Sequence, residues 1–313
     1  MSARPLLGRV SDALRHGRKA FKAALPFVRR REYRILRKRH DALVDAFTAH
    51  AVPARDAVIV PVKALAAPLQ GEVCFFVTHA AQPRLKPHVL AHIQALAAAG
   101  FQVVLIANSD LPAHALELDA ALLDQLAACF VRANVGFDFA AWGHAYALCG
   151  DTRSYTRLLL VNDSVIGPVD LGAFGRMLQR LRSADADLVG LTENTLPHRH
   201  LQSFFLALGP RALQSEVLRR VMAGMHSLPT KELVIDAYET ALTRQLVASG
   251  LRSAVLFPAL SGDPHSADDT MGRWRELLDA GFPYVKASLL ASGEHGAAVR
   301  AALPPGLMPS AKT

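Results

Sequence analysis

The sequence predicts an α/β fold, a three-layer α/β/α sandwich with a mostly parallel central sheet, plus a basic N-terminal helical arm. Three observations predict it. From residue 71 onward, short apolar runs alternate with Ala/Leu-rich stretches of helical length, the pattern of right-handed crossovers between parallel strands. The early runs are nearly all apolar rather than alternating, as expected of strands buried on both faces. Third, the positive charge is confined to the start of the chain: residues 1–40 carry 13 Lys or Arg against Asp12 and Glu32, a net +11 in a chain of +8, so everything beyond residue 40 carries −3.

Taken in order, residues 1–50 read as an amphipathic helical arm in which Leu14, Phe21, Phe27, Tyr33, Ile35 and Leu36 interleave with the cations. Such a helix suits an anionic membrane surface, at about 1 kcal/mol per cation near the headgroups. That places residues 1–42 at the inner face of the cytoplasmic membrane and the protein as a cytoplasmic, peripheral one. A pI near 9.7 spread over a fold would suggest nucleic acid, but the slightly acidic body argues against that partner. Residues 51–70, punctuated by Pro53, Pro61 and Pro68, read as a connector. The main domain is then 71–292, and 293–313 reads as a loosely ordered tail. Within the domain, strands are expected at 72–78, 101–107, 128–132 and 157–161, with helices at 87–99, 116–126 and 139–148 between them. Beyond residue 164 come a helix at 171–182, strands at 187–192 and 201–208, helices at 210–225 and 230–249, a strand at 251–256 and a helix at 271–280. The short polar link 193–200 is too short for a crossover helix, so its flanking strands are expected as a mixed or antiparallel addition. No apolar run reaches the 18 or so residues that cross a bilayer, and no basic, apolar, small-residue leader opens the chain. Cys74, Cys129 and Cys149 lack metal-ligand spacing and read as buried free thiols.

Ligands of parallel sheets bind at the carboxyl ends of strands. That rule selects Thr78-His79, Asn108-Ser109-Asp110, Arg132-Ala-Asn134 and Asn162-Asp163-Ser164, four polar strand ends on one edge. Thr78-His79-Ala-Ala-Gln-Pro has neither a GxGxxG nor a GxxxxGK[ST] loop, which disfavours dinucleotide-binding and P-loop enzymes. Asn162-Asp163-Ser164 is the sharpest cluster. A carboxylate flanked by an amide and a hydroxyl can hold a hard cation such as Mg²⁺ or Mn²⁺ or orient a sugar hydroxyl, although Asn and Asp also end strands by bonding their own turns. Asp138 is placed to cap the helix that follows it, His200 borders the crevice, and Asp236 and Glu239 share one helix face.

Five stretches in order carry a resemblance. They are Phe76-Val-Thr-His79; Asn134-Val-Gly-Phe-Asp-Phe-Ala-Ala-Trp142; Leu160-Val-Asn-Asp-Ser-Val-Ile-Gly-Pro168; Gly190-Leu-Thr192 with His200-Leu-Gln-Ser-Phe-Phe205; and Trp274 through Gly281-Phe-Pro-Tyr-Val-Lys286. Together, over residues 72–290, they resemble the rhamnan synthesis protein F family, glycosyltransferase-like proteins of bacterial surface-polysaccharide assembly. The resemblance implies a GT-A-type fold, and an inverting transfer of a sugar, rhamnose or another deoxyhexose, from a nucleoside-diphosphate sugar to a polysaccharide or lipid-linked acceptor. It puts Asn162-Asp163-Ser164 in the place of the DxD element, with Asp163 as the metal ligand and Mg²⁺ or Mn²⁺ as the cofactor. The nucleotide-sugar set it implies is Thr78, His79, Asn108, Arg132, Asn134, Asp138, Asn162, Asp163, Ser164, His200, Gln202 and Lys286. Glu239 is the first choice for general base, with Asp236 and Glu193 behind it; where the amide at Asn162 weakens metal binding, Lys286 or Arg132 is expected to neutralise the diphosphate. An amide at Asn162 and a Phe at 137 depart from the family pattern, and keep open a non-catalytic scaffold of an assembly complex.

Overall fold

A computed structural model describes residues 26–49, 52–259 and 268–308. The chain divides into two compact units, Met1–His50 and Ala51–Thr313. In the first, α1 runs over Pro26–Ala49, with Tyr33, Ile35 and Leu36 exposed beside the cations. The rest of the expected arm, residues 1–25, lies outside the described residues.

The second unit is built on an eight-stranded sheet. Its strands are β1 (Ile59–Lys63), β2 (Gly71–His79), β3 (Gln102–Ser109), β4 (Leu126–Ala133), β5 (Tyr155–Asn162), β6 (Leu188–Gly190), β7 (Phe205–Leu208) and β8 (Ser253–Val255). They lie in the order β8-β6-β7-β5-β2-β3-β4-β1. Strands β2 to β6 and β8 run one way; β7, antiparallel to both β5 and β6, and β1, antiparallel to β4, run the other. The fold class is thus mixed α/β with a mostly parallel sheet. β2 through β5 are apolar because helices cover both faces. Cys74, Phe76, Val103, Leu105, Leu159 and Val161 meet α2 (Pro87–Ala98), α3 (Ala120–Gln125) and α5 (Leu171–Ser183) on one side. On the other side Trp142 of α4 (Phe137–Leu148) is fully buried and donates its Nε1–H to the Phe75 carbonyl at 3.1 Å.

The structure differs from the sequence expectation in several places. Residues 59–63, expected inside a connector, form the edge strand β1; Lys63 reaches inward to the carbonyls of Leu123 and Leu126 at 2.6 and 2.7 Å. Pro61 sits in this edge, beside a register irregularity between Pro61 and Lys63, where a missing N–H is tolerated. The expected tail is packed as far as residue 308: Val299, Leu303 and Leu307 join Ile166, Trp274 and Leu289 in a second core. The helix expected over 116–126 starts only at Ala120, after the Asp119 carboxylate caps Leu122 N at 2.6 Å, and its expected last residue, Leu126, belongs to β4. The strand expected over 201–208 is split: His200–Leu201 pairs with Glu193–Asn194 in a small hairpin, and only Phe205–Leu208 enters the sheet. The helix expected over 230–249 is Lys231–Val234 and Thr240–Ala248 joined by a π-helical turn, Ile235–Glu239. All three cysteines are buried free thiols.

Candidate functional site

The carboxyl ends of β2 to β5 meet at one edge of the sheet. Because β7 runs the opposite way, the segment that enters it, Gln202-Ser203-Phe204, comes to that edge too; the Phe204 carbonyl accepts Asn162 N at 3.1 Å. Beside this junction opens a cleft of about 510 Å³. Its sheet side carries Asp138, Asn162, Ser164, Gln202 and Ser203, the π-helical turn brings Ile235 and Glu239, and the far wall carries Asp268 and Lys286.

Asp138 does not cap α4 from outside it. The N-cap is Gly136, at φ +74°, and Phe137 follows at φ +58° in the same left-handed region, so Asp138 falls in the first turn and points into the cleft. It accepts Asn162 Nδ2–H at 2.5 Å and its neighbour Phe139 N–H at 3.0 Å. Burial pushes its pKa up to about 6, and the nearby negative charge of Glu239 adds to the rise. Glu239 accepts from both the backbone N–H of Ser203, at 3.1 Å, and the Ser203 hydroxyl. His200 Nε2 lies 3.8 Å from its other oxygen. The His200 Nδ1–H donates to the His198 carbonyl at 2.7 Å, which leaves Nε2 turned to Glu239. Gln202 donates to Asp268 at 2.8 Å and accepts from Thr192 at 2.6 Å. Lys286 places its ammonium 4.4 Å from the Phe204 ring centroid; burial lowers its pKa, while the charges of Asp268, Glu239 and Asp138 oppose that. Among the described residues no group of three or more His, Cys, Asp or Glu is arranged to hold a metal.

Of the residues expected from sequence, Asp138, Asn162, Ser164, His200, Gln202, Lys286 and Glu239 line this one cleft. Thr78, His79 and Asp163 form a second cluster beside it: Asp163 Oδ2 accepts Thr78 Oγ1–H at 2.7 Å and His79 N–H at 3.3 Å, and Lys86 Nζ stands 2.6 Å away. Asn134 is bonded to Asp110 at 2.9 Å and lies 3.3 Å from His79 Nε2. Asn108 and Arg132 turn inward instead. Asn108 donates to the Phe137 carbonyl at 3.0 Å. Arg132 is fully buried; its Nη groups donate to the Val135 carbonyl at 2.5 Å, the Ala54 carbonyl at 3.2 Å and Ser227 Oγ at 3.2 Å, and its Nε is buried without a hydrogen bond. It holds the β4 turn in place and has no cation to offer a ligand. Glu193 faces a separate cavity of about 520 Å³ on the far side of the hairpin, held by Arg199 at 2.5 Å. Asp236 is not among the cleft residues. Sequence reasoning missed Lys86, Ser203 and Asp268. The signal for Lys86 was a cation directly before Pro87, the first residue of a helix at the end of β2.

The profile of the rhamnan synthesis protein F family matches residues 103–303, most of the sheet and the whole cleft. The chain belongs to the rhamnan synthesis protein F family. Its sequence is also 26% identical over 197 residues to a virulence protein, VirA, of Vibrio anguillarum, an alignment of 53% of this chain and 62% of that protein. The chain thus spans less than two thirds of the curated relatives it matches. Family membership ties this molecule to rhamnan synthesis and so to the making of polysaccharide. Among the described residues no helix is long and apolar enough to cross a membrane.

Proposed function

We propose that this member of the rhamnan synthesis protein F family is an inverting glycosyltransferase. It moves a deoxyhexose such as rhamnose from a nucleoside-diphosphate sugar to a surface-polysaccharide or lipid-linked acceptor. The observation that carries the reading is Glu239: a carboxylate on a π-helical turn, aimed by two Ser203 donors into a cleft at the carboxyl ends of a parallel sheet. The strand order, with a single antiparallel strand inserted between β5 and β6, supports a GT-A-like arrangement.

In this reading the nucleotide lies over the ends of β2, β4 and β5, against Thr78, His79 and Asn134, and the sugar reaches into the cleft beside Asp138 and Asn162. The acceptor oxygen bonds to the anomeric carbon as the carbon–oxygen bond to the diphosphate breaks, and the electron pair leaves with the diphosphate. Glu239 takes the acceptor's proton, with His200 Nε2 close enough to bear on that charge. Lys286 faces the developing negative charge. The anionic membrane surface remains the partner for the basic arm, which would bring the cleft to a lipid-linked acceptor.

The test is binding and turnover of dTDP- and UDP-sugars by the full chain and by Glu239→Gln. Loss of a general base is expected to lower kcat about 10²- to 10⁴-fold while nucleotide affinity is kept within a few-fold. Absence of binding to every nucleotide-sugar would remove the transferase reading. Binding without turnover over a broad acceptor panel would favour the scaffold, which the amide at Asn162 and the Phe at 137 keep in view.

A further inference from the structure

The family resemblance implies a divalent cation at Asn162-Asp163-Ser164, and the donors present there do not fit one. Asp163 has its Oδ2 saturated by Thr78, His79 and Lys86. Asn162 has both ends of its amide in use, Nδ2 donating to Asp138 at 2.5 Å and Oδ1 accepting Ser164 N–H at 3.0 Å. The one carboxylate of the element already has a counter-charge, and it is a side chain of the same protein.

We propose that the Lys86 ammonium takes the place of the metal, so that this chain binds the diphosphate of a nucleotide without a divalent cation. The proposal rests on the transferase reading and sharpens it. Three observations support it. First, the pair is asymmetric: the Lys86 side chain is 42% exposed and that of Asp163 only 16%, so the ammonium is presented outward on a fixed carboxylate. An ammonium has three N–H donors, of which Asp163 takes one, leaving the others for phosphate oxygens. Second, Lys86 is the N-cap residue of the twelve-residue helix α2, whose dipole adds positive potential where the ammonium stands. Third, His88, one residue into that helix, is 4% exposed, and both Asp163 and Lys86 act electrostatically on its ring, so the start of the helix and the element are packed against each other.

The geometry also explains the rest of the element. The cleft next door sets three carboxylates, Asp138, Glu239 and Asp268, against Lys231 and Lys286, and so leaves little positive charge to spare for a diphosphate. A lysine held by Asp163 supplies that charge at fixed position. Asp163 is then a positioning residue: it orients Lys86 and does not itself touch phosphate.

The experiment is calorimetric titration of the full chain with UDP and dTDP, in EDTA and in Mn²⁺, for wild type, Lys86→Met, Lys86→Arg and Asp163→Asn. Wild type is expected to bind equally well in both buffers. Lys86→Met is expected to lose about 10- to 100-fold in EDTA, the worth of a charged hydrogen bond. It should recover in Mn²⁺, because Asp163 is freed to hold the metal; Lys86→Arg should stay within a few-fold of wild type without metal. Wild-type binding that needs Mn²⁺, or EDTA affinity unchanged by Lys86→Met, overturns the proposal and leaves the transferase reading standing. No binding of either nucleotide in either buffer overturns both. The wild-type comparison of the two buffers requires no variant to fold.

Discussion

At the scale of single residues, Asp138 bears on both chemistry and stability, because it is both a cleft residue and a group with a displaced titration. Its folded pKa of about 6 stands above the 3.8 of an ordinary Asp. Between roughly pH 4 and 6 the native state therefore keeps a proton that the unfolded chain has released. The stability this contributes is complete below pH 4 and is lost as pH rises through 6. The loss is at most about 3 kcal/mol, and less to the extent that water reaches the carboxyl. Asp138→Asn is expected to remove this part of the pH dependence, read as the wild-type-minus-variant difference in urea unfolding free energy between pH 4.5 and 7. Polar strand-end residues such as Thr78 and Asn162 could be read from the sequence because they close apolar runs. Their hydrogen-bond partners could not. Arg132 closes a run in the same way as Asn162, yet only the crossing of the Ala54 and Ser227 segments decides that its guanidinium is used up indoors. Lys86 escaped notice because its partner is 77 residues away in sequence.

At the scale of elements, the turn into α4 carries the tightest constraint. Gly136 has φ +74°, and a Cβ there would stand 2.5 Å from Ser227 Cα and 2.6 Å from Ala140 Cβ. Phe137 then takes φ +58°, costly for a bulky side chain, and its carbonyl accepts from Asn108. The strain aims Asp138 at the cleft. Gly136→Ala adds a clash to an unfavourable dihedral and is expected to cost about 2–4 kcal/mol in chemical denaturation. A Gly100→Ala control, at φ +92° with nothing within 4 Å, should cost less. The parallel strands and their helices were readable because apolar runs of 5–8 residues separated by helical stretches admit few topologies. Short or two-sided elements were harder to read. Strand β1 looked like a connector because Pro61 interrupts it and its valines face solvent, and the π-helical turn leaves no mark on a periodicity of 3.6.

At the scale of the whole molecule, charge is the organising property, since the cations of residues 1–40 contrast with a body of net −3. Electrostatic attraction of that kind should depend on ionic strength and on lipid charge. Removal of residues 1–42 is expected to abolish sedimentation with vesicles containing phosphatidylserine and to leave nucleotide affinity unchanged; undiminished sedimentation would place the membrane contact elsewhere. The outer margin of the sheet has its own bearing on how copies of the molecule meet. β1 exposes Val60 and Val62, with Val58 beside them, an apolar border that a strand from another copy could extend. Pro61 withholds one N–H from any such strand, and the irregular register between Pro61 and Lys63 bends the border out of a straight template. The residue that disguised β1 as a linker is therefore a guard against aggregation, and it keeps a valine-rich edge from seeding intermolecular sheet.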